Sequence, residues 1–299
     1  MRITMNTIYN QINTDLGRLT DSMAKTNRSI SSGKIYSTLS DSPVALTEAL
    51  GIRDTIGNTN QYKNNITYAQ GWTTATDTAM SQIQDGLMRA KTLAVQGAND
   101  SQSADSRKAI AAEVKSIINE VVALGNTKMG DRYVFGGTKT TGYAAGEAPF
   151  VLQADGTVRY NGNQQDIAIQ AASGLKQKIN LDGHTALVEG GVFDSLNALY
   201  NSLMSNNQPD INASIASVDK ASGYVSQQSS VIGSMSNALT SQASMADTLV
   251  LTETDRLSSV EDTDIVRAVT DLTTQQTSYQ AALGAAAKVM NVSLADYLK

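Results

Sequence analysis

Apolar residues recur near the start of the chain at Ile8, Ile12, Leu16, Leu19, Met23 and Ile30, with gaps of 4, 4, 3, 4 and 7. That spacing puts them on one face of an α-helix. The stripe runs into Ser31-Ser32-Gly33-Lys34, where the Ser pair and Gly predict a break. Asp41-Ser42-Pro43 then supplies an N-cap candidate followed by proline at the first helical position, where a missing N–H costs nothing. No further proline occurs until Pro149, so the helix can run for many turns, with Met80, Ile83, Leu87, Ala90 and Ala94 as its later stripe and Trp72 packed against a neighbouring helix. A polar stretch at 99–105 predicts a connection, and Ile110, Val114, Ile117, Val121 and Leu124 follow with the spacing of a coiled-coil seam.

The period changes at Arg132-Tyr133-Val134-Phe135-Gly136-Gly137, a β-prone run ended by glycines. Phe150–Leu152 and Val158–Tyr160 flank Ala154-Asp155-Gly156-Thr157, a hairpin signal. Ile167–Ile169 and Ile179–Leu181 read as further strands, so 133–190 is expected to form a small β-rich insertion. Helix resumes at Phe193, Leu196, Leu199 and Leu203, stops before Pro209, and restarts through Ile211, Val218, Val225, Ile232 and Leu239. Near the C-terminus, Ile265, Val269, Leu272, Gln276, Tyr279, Leu283, Ala286 and Met290 alternate gaps of 4 and 3 without interruption. At 1.5 Å per residue this seam is about 38 Å long.

An amphipathic helix needs a partner, and the two ends are suited to each other. Residues 1–34 carry a net charge of +3 and residues 261–299 a net of −2. Exposed pairs add only ~0–1 kcal/mol each, so the seam supplies the energy and charge helps select the partner. Ala, Thr, Ser and Gln between the apolar positions make the seam thin. The terminal helices are therefore expected to be weakly ordered alone and to gain order when copies pack side by side. The competing reading of the stripes is an ordinary intramolecular bundle.

Composition narrows the chemistry. The 299 residues include no Cys and a single His, which removes disulfides, thiolate catalysis and Cys- or His-rich metal sites. Aromatics are 5% and charged residues 17%, so long helices packed by small aliphatic side chains are expected rather than an aromatic-lined pocket. The net charge of −5, with no Lys/Arg block, argues against a nucleic-acid partner. No apolar run approaches the ~20 residues that span a bilayer, so membrane insertion is not expected. The first residues show no secretory signal pattern, and export would need another route. His184, beside the Asp182-Gly183 turn signal, is expected at the surface. No nucleophile elbow, phosphate loop or calcium loop occurs; Gly136-Gly137-Thr138-Lys139 lacks the spacing of a phosphate loop, and Asp155, Asp166 and Asp182 follow no calcium-loop pattern. A non-enzyme without cofactor or metal is the expectation.

Several segments resemble the flagellin-like axial proteins of bacterial flagella. Ser31-Ser32-Gly33-Lys34 with Ser40-Asp41-Ser42-Pro43-Val44-Ala45 is similar to that family's link between terminal and second-domain helices, with Ser42 where a second Asp is common. Asp131 through Lys139 with Pro149-Phe150 is similar to the entry into the variable domain of the family's junction proteins. Gln276–Leu283 with Lys288–Leu298 resembles a junction protein's C-terminus more than flagellin's own.

The resemblance implies a mainly α fold: both chain ends form a coiled-coil core domain (1–40 and 258–299), a helical second domain comprises 41–132 and 191–257, and 133–190 is a β-rich outer insertion. It implies a structural adaptor at the hook–filament junction outside the cell, exported through the flagellar apparatus with a dedicated chaperone. Its partners would be a hook-side junction protein, flagellin, and further copies of itself in a ring. The alternative within the family is the main filament subunit; a cytoplasmic coiled-coil adaptor is a third class. The expected assembly positions are Ile8, Ile12, Leu19 and Met23, packing with Ile265, Val269, Leu272, Tyr279, Leu283, Met290 and Leu294 in the assembled state.

Overall fold

The computed structural model describes residues 5–36, 38, 40–144 and 146–297, with side chains described from residue 7 to residue 288 within those ranges. The chain divides into two compact units, Met1–Asn58 with Leu249–Lys299, and Thr59–Thr248.

The first unit contains α1 (Met5–Ser32), the start of α2 (Pro43–Ala98), the end of α5 (Gln208–Glu261) and α6 (Ile265–Tyr297). Helix α1 ends where Gly33 takes a φ of +70°, a left-handed stop that a β-carbon would penalise. Helix α2 starts as the Ser-Pro pair predicts: the Ser42 hydroxyl accepts from the Ala45 N–H, and Pro43 opens the first turn. Asp41 shapes the turn before it, accepting at 3.0 Å from both the N–H and the hydroxyl of Thr38. Helix α6 is capped by Asp264, which accepts from the Arg267 N–H at 3.1 Å.

The second unit packs the rest of α2 and α5 with α3 (Ala104–Gly125) and α4 (Val192–Met204). One continuous core joins Trp72, Ile83 and Leu87 of α2, Val114 and Val121 of α3, Leu196 and Leu203 of α4, and Val218, Val225 and Ile232 of α5. Trp72 apart, these are the stripe positions read from the sequence, and all are buried. Arg107 ties the ends of this bundle together from a buried position: its guanidinium donates to the carbonyls of Gly97 (2.8 Å) and Asn99 (3.2 Å) and to Asn206 Oδ1 (2.5 Å).

Between α3 and α4, the described residues form three separate antiparallel hairpins: β1 (Lys128–Met129) with β2 (Arg132–Tyr133), β3 (Phe150–Leu152) with β4 (Val158–Tyr160), and β5 (Ala168–Ala172) with β6 (Leu175–Lys178). The β3–β4 register pairs Phe150 with Tyr160 and Leu152 with Val158 across the Asp155-Gly156 turn. Asp155 accepts from both the N–H and the hydroxyl of Thr157, which holds its carboxyl below the usual range, and Gly156 has a φ of +87°. Phe150 anchors the segment. Its ring is buried against Phe193, with centroids 5.3 Å apart, and its backbone is gripped in both directions by the Asn126 amide, at 2.9 Å and 2.7 Å.

Two sequence expectations fail here. Ile179–Leu181 is not a strand; β6 lies before it, at Leu175–Lys178. The fully buried Asn180 side chain takes the place of a ladder partner, accepting from the Ile167 N–H at 2.7 Å and donating to the Gln165 carbonyl at 3.0 Å. That lets irregular backbone at the edge of the core remain satisfied. His184 is half-buried, not at the surface, because it opens a single π-helical turn, His184–Val188, whose Ala186 and Leu187 pack into the core.

Candidate assembly interface

Helices α1 and α6 pack along one another. In α1 the half-buried positions include Ile8, Ile12, Leu16, Leu19 and Met23, the face laid out by the sequence stripe. In α6 the covered face is Ala268, Leu272, Gln275, Tyr279, Ala282 and Ala286, spaced 4, 3, 4, 3, 4. Gln275 Nε2 donates across the pair to Ser22 Oγ at 3.0 Å.

Of the expected assembly residues, Ile8, Ile12, Leu19, Met23, Leu272 and Tyr279 lie on these facing stripes. Ile265, Val269 and Leu283 do not: they are 45%, 46% and 44% exposed. Leu283 stands 18 residues, or about five turns, after Ile265 and so shares its direction from the helix axis. The three line the flank of the covered face, beside Val266, which is more open still. A single partner helix covers about half of a wide apolar stripe, and here the flank stays uncovered within one chain. Met290 and Leu294 belong to α6, but their side chains lie outside the described residues.

Asp155, Asp166 and Asp182 are used separately: Asp155 in its turn, Asp166 in an ion pair with Lys178 at 2.5 Å, and Asp182 as acceptor for the Thr185 N–H at 2.9 Å. Among the described residues no cluster of three His, Asp or Glu side chains could hold a metal, and no helix is long and apolar enough to cross a membrane. The perturbed tyrosines have structural causes. Burial pushes the Tyr160 hydroxyl up, reinforced by Asp182, while it donates to the Phe135 carbonyl at 2.8 Å; burial likewise pushes Tyr143 to about 12.

Residues 3–140 match the family model for the bacterial flagellin N-terminal helical region, a stretch that takes in α1, α2, α3 and the first hairpin. The match spans a little under half of the chain, and this part of it is similar to flagellin. Similarity extends beyond that region: the chain is 24% identical over 326 aligned positions to flagellar hook-associated protein 3 of Escherichia coli K12, covering 98% of each chain. Hook-associated protein 3 of Salmonella typhimurium is 27% identical over 214 positions, covering 70% of this chain and 60% of that protein. The fold is shared with the flagellar junction protein FlgL of Legionella pneumophila, at a TM-score of 0.58 and 16% identity, over 73% of this chain and 99% of that one.

Proposed function

We propose that this chain is a structural junction adaptor of the bacterial flagellum, placed between the hook-side hook-associated protein and the flagellin filament. The single observation that carries the reading is the α1–α6 pair with an uncovered apolar flank at Ile265, Val269 and Leu283. Match to the flagellin helical region and full-length similarity to hook-associated protein 3 support the location.

In this reading the role is mechanical. Helices of neighbouring copies bury the α6 flank, and the same contact repeats around a ring, so interfaces that are weak singly add up over the assembly. One side of the ring accepts the hook-side protein and the other offers flagellin a template. Residues 1–40 with 258–299 act as the assembly core, 41–132 with 191–257 as the helical second domain, and 133–190 as the outer domain. The chain reaches this place unfolded through the flagellar export apparatus with a chaperone. No enzymatic step or cofactor is involved.

The main filament subunit is the second reading, favoured by the match to a flagellin region itself. Immunogold labelling of isolated flagella separates the two. A junction adaptor gives label at the hook–filament boundary alone, whereas label along the whole filament would replace this reading with the second.

A further inference from the structure

The connection between α1 and α2 is stitched to the connection between α5 and α6. Lys34 and Asp262 form an antiparallel bridge, the Ile35 N–H donates to the Glu261 carbonyl at 2.7 Å, and the Thr263 N–H donates to the Gly33 carbonyl at 2.9 Å. Beside these bonds lies a buried carboxylate. The Glu261 side chain is 7% exposed and receives two cations from different elements: Lys34 Nζ at 3.0 Å from the first connection, and the Arg53 guanidinium from α2. No other described carboxylate takes part in those two ion pairs. Asp262 and Asp264 follow Glu261 in the chain, but Asp264 is committed to the cap of α6. Nearby, Arg256 is engaged by Glu48 at 2.8 Å and Lys25 of α1 by Asp41 at 3.5 Å.

A buried charge is tolerated only while paired, and losing its charge strands the partners. Neutralising Glu261 would leave Lys34 and Arg53 converging on an uncharged group, with the backbone stitch at Ile35 and Thr263 directly alongside. We propose that Glu261 is a positioning residue that latches the two helix connections together, and that neutralising it unfastens them while Thr59–Thr248 stays folded. The latch goes beyond the assembly reading and does not depend on where in the flagellum the chain resides. Acid is its natural probe. Burial works against the Glu261 charge, but the hydrogen bonds and charges of Arg53 and Lys34 outweigh it and hold the carboxyl below its ordinary value of 4.5. A group lowered in the folded state contributes its stability fully above the ordinary value and loses it as the pH falls through the lowered one.

Amide hydrogen exchange on the full-length chain tests the latch, read at Ile35 and Thr263 with Val114 of α3 as reference and corrected for intrinsic rates. In the wild type, protection at Ile35 and Thr263 falls at least about tenfold as the pH drops below 4.5, while Val114 keeps its own, the loss expected when a charged hydrogen-bonded pair is broken. Glu261→Gln loses the same protection already at pH 7 and shows no titration step, and Glu261→Asp, which restores a carboxylate, recovers part of both. Wild-type protection at these two amides that persists until Val114 also exchanges would overturn the latch. So would a Gln variant that keeps the wild-type profile, or an Asp variant no better than Gln. Should Glu261→Gln unfold throughout, the wild-type titration alone decides.

Discussion

Replacing Leu283 by Asp separates the cost within one chain from the cost in an assembly. Leu283 is 44% exposed in the single chain, so a little over half of it is removed from water there. Full burial of a leucine is worth about 2–3 kcal/mol, and the single chain therefore stands to lose about 1–1.5 kcal/mol. The new carboxylate can keep its hydration on the open flank. Where a neighbouring copy closes that flank, the remaining transfer energy is lost as well, about 1 kcal/mol, and an unpaired charge must be desolvated at a cost of several kcal/mol. Each copy carries this penalty, so the substitution should cost the free protein only that modest amount and be prohibitive in the ring. Two assays bracket it. Thermal unfolding of the purified variant should shift down by only several degrees with an unchanged helical signal at 25 °C, and flagella sheared from cells carrying only Leu283→Asp should lack the protein. Normal filaments carrying the variant would refute the reasoning, as would a variant monomer whose α1–α6 pair has already melted.

Other parts of the molecule carry their own expected outcomes. Arg107→Met leaves the Gly97 and Asn99 carbonyls and Asn206 without their shared donor, and urea unfolding of the full chain should show a loss of roughly 3 kcal/mol. Asn180→Ala takes their partner from the part-buried Ile167 N–H and the Gln165 carbonyl, which should cost about 1–2 kcal/mol by the same measurement, while Asn180→Asp keeps an acceptor for Ile167 but loses the donor to Gln165. In a spectrophotometric titration, Tyr143→Phe should remove a component ionising near 12.

How far the sequence reaches differs from element to element. Helical stripes were readable because period alone assigns a face: Val114 and Val121, or Leu196 and Leu203, had to share one, and they lie in the core. The Asp155-Gly156 turn was readable because its conformation is local, fixed by a glycine at positive φ and a carboxylate bonded to Thr157. Asn180 was not, because a side chain standing in for a strand partner leaves no periodic trace; Ile-Asn-Leu looks like a strand whether the asparagine faces water or turns inward to bridge neighbouring backbone. His184 was misplaced because the π-turn that draws it inward depends on core contacts of Ala186 and Leu187 distant in sequence from the stripes.

On α6, spacing laid out one wide apolar stripe but could not say how much of it a single helix would cover. The division between Leu272 and Tyr279 on the covered face and Ile265, Val269 and Leu283 on the flank is set by the azimuth of α1. Glu261 escaped notice for a related reason. A glutamate at a helix end is unremarkable until a connection more than two hundred residues away delivers Lys34 and an adjacent helix delivers Arg53.

The measurement that bears most directly on the junction reading is a clean deletion of the gene in its host, with microscopy of the flagella and an assay of flagellin in the medium. The account predicts completed hooks without filaments and flagellin shed into the medium, with both defects reversed by the intact gene supplied in trans. Normal motile filaments on the deleted cells, or bare hooks with no flagellin outside the cell, would contradict it.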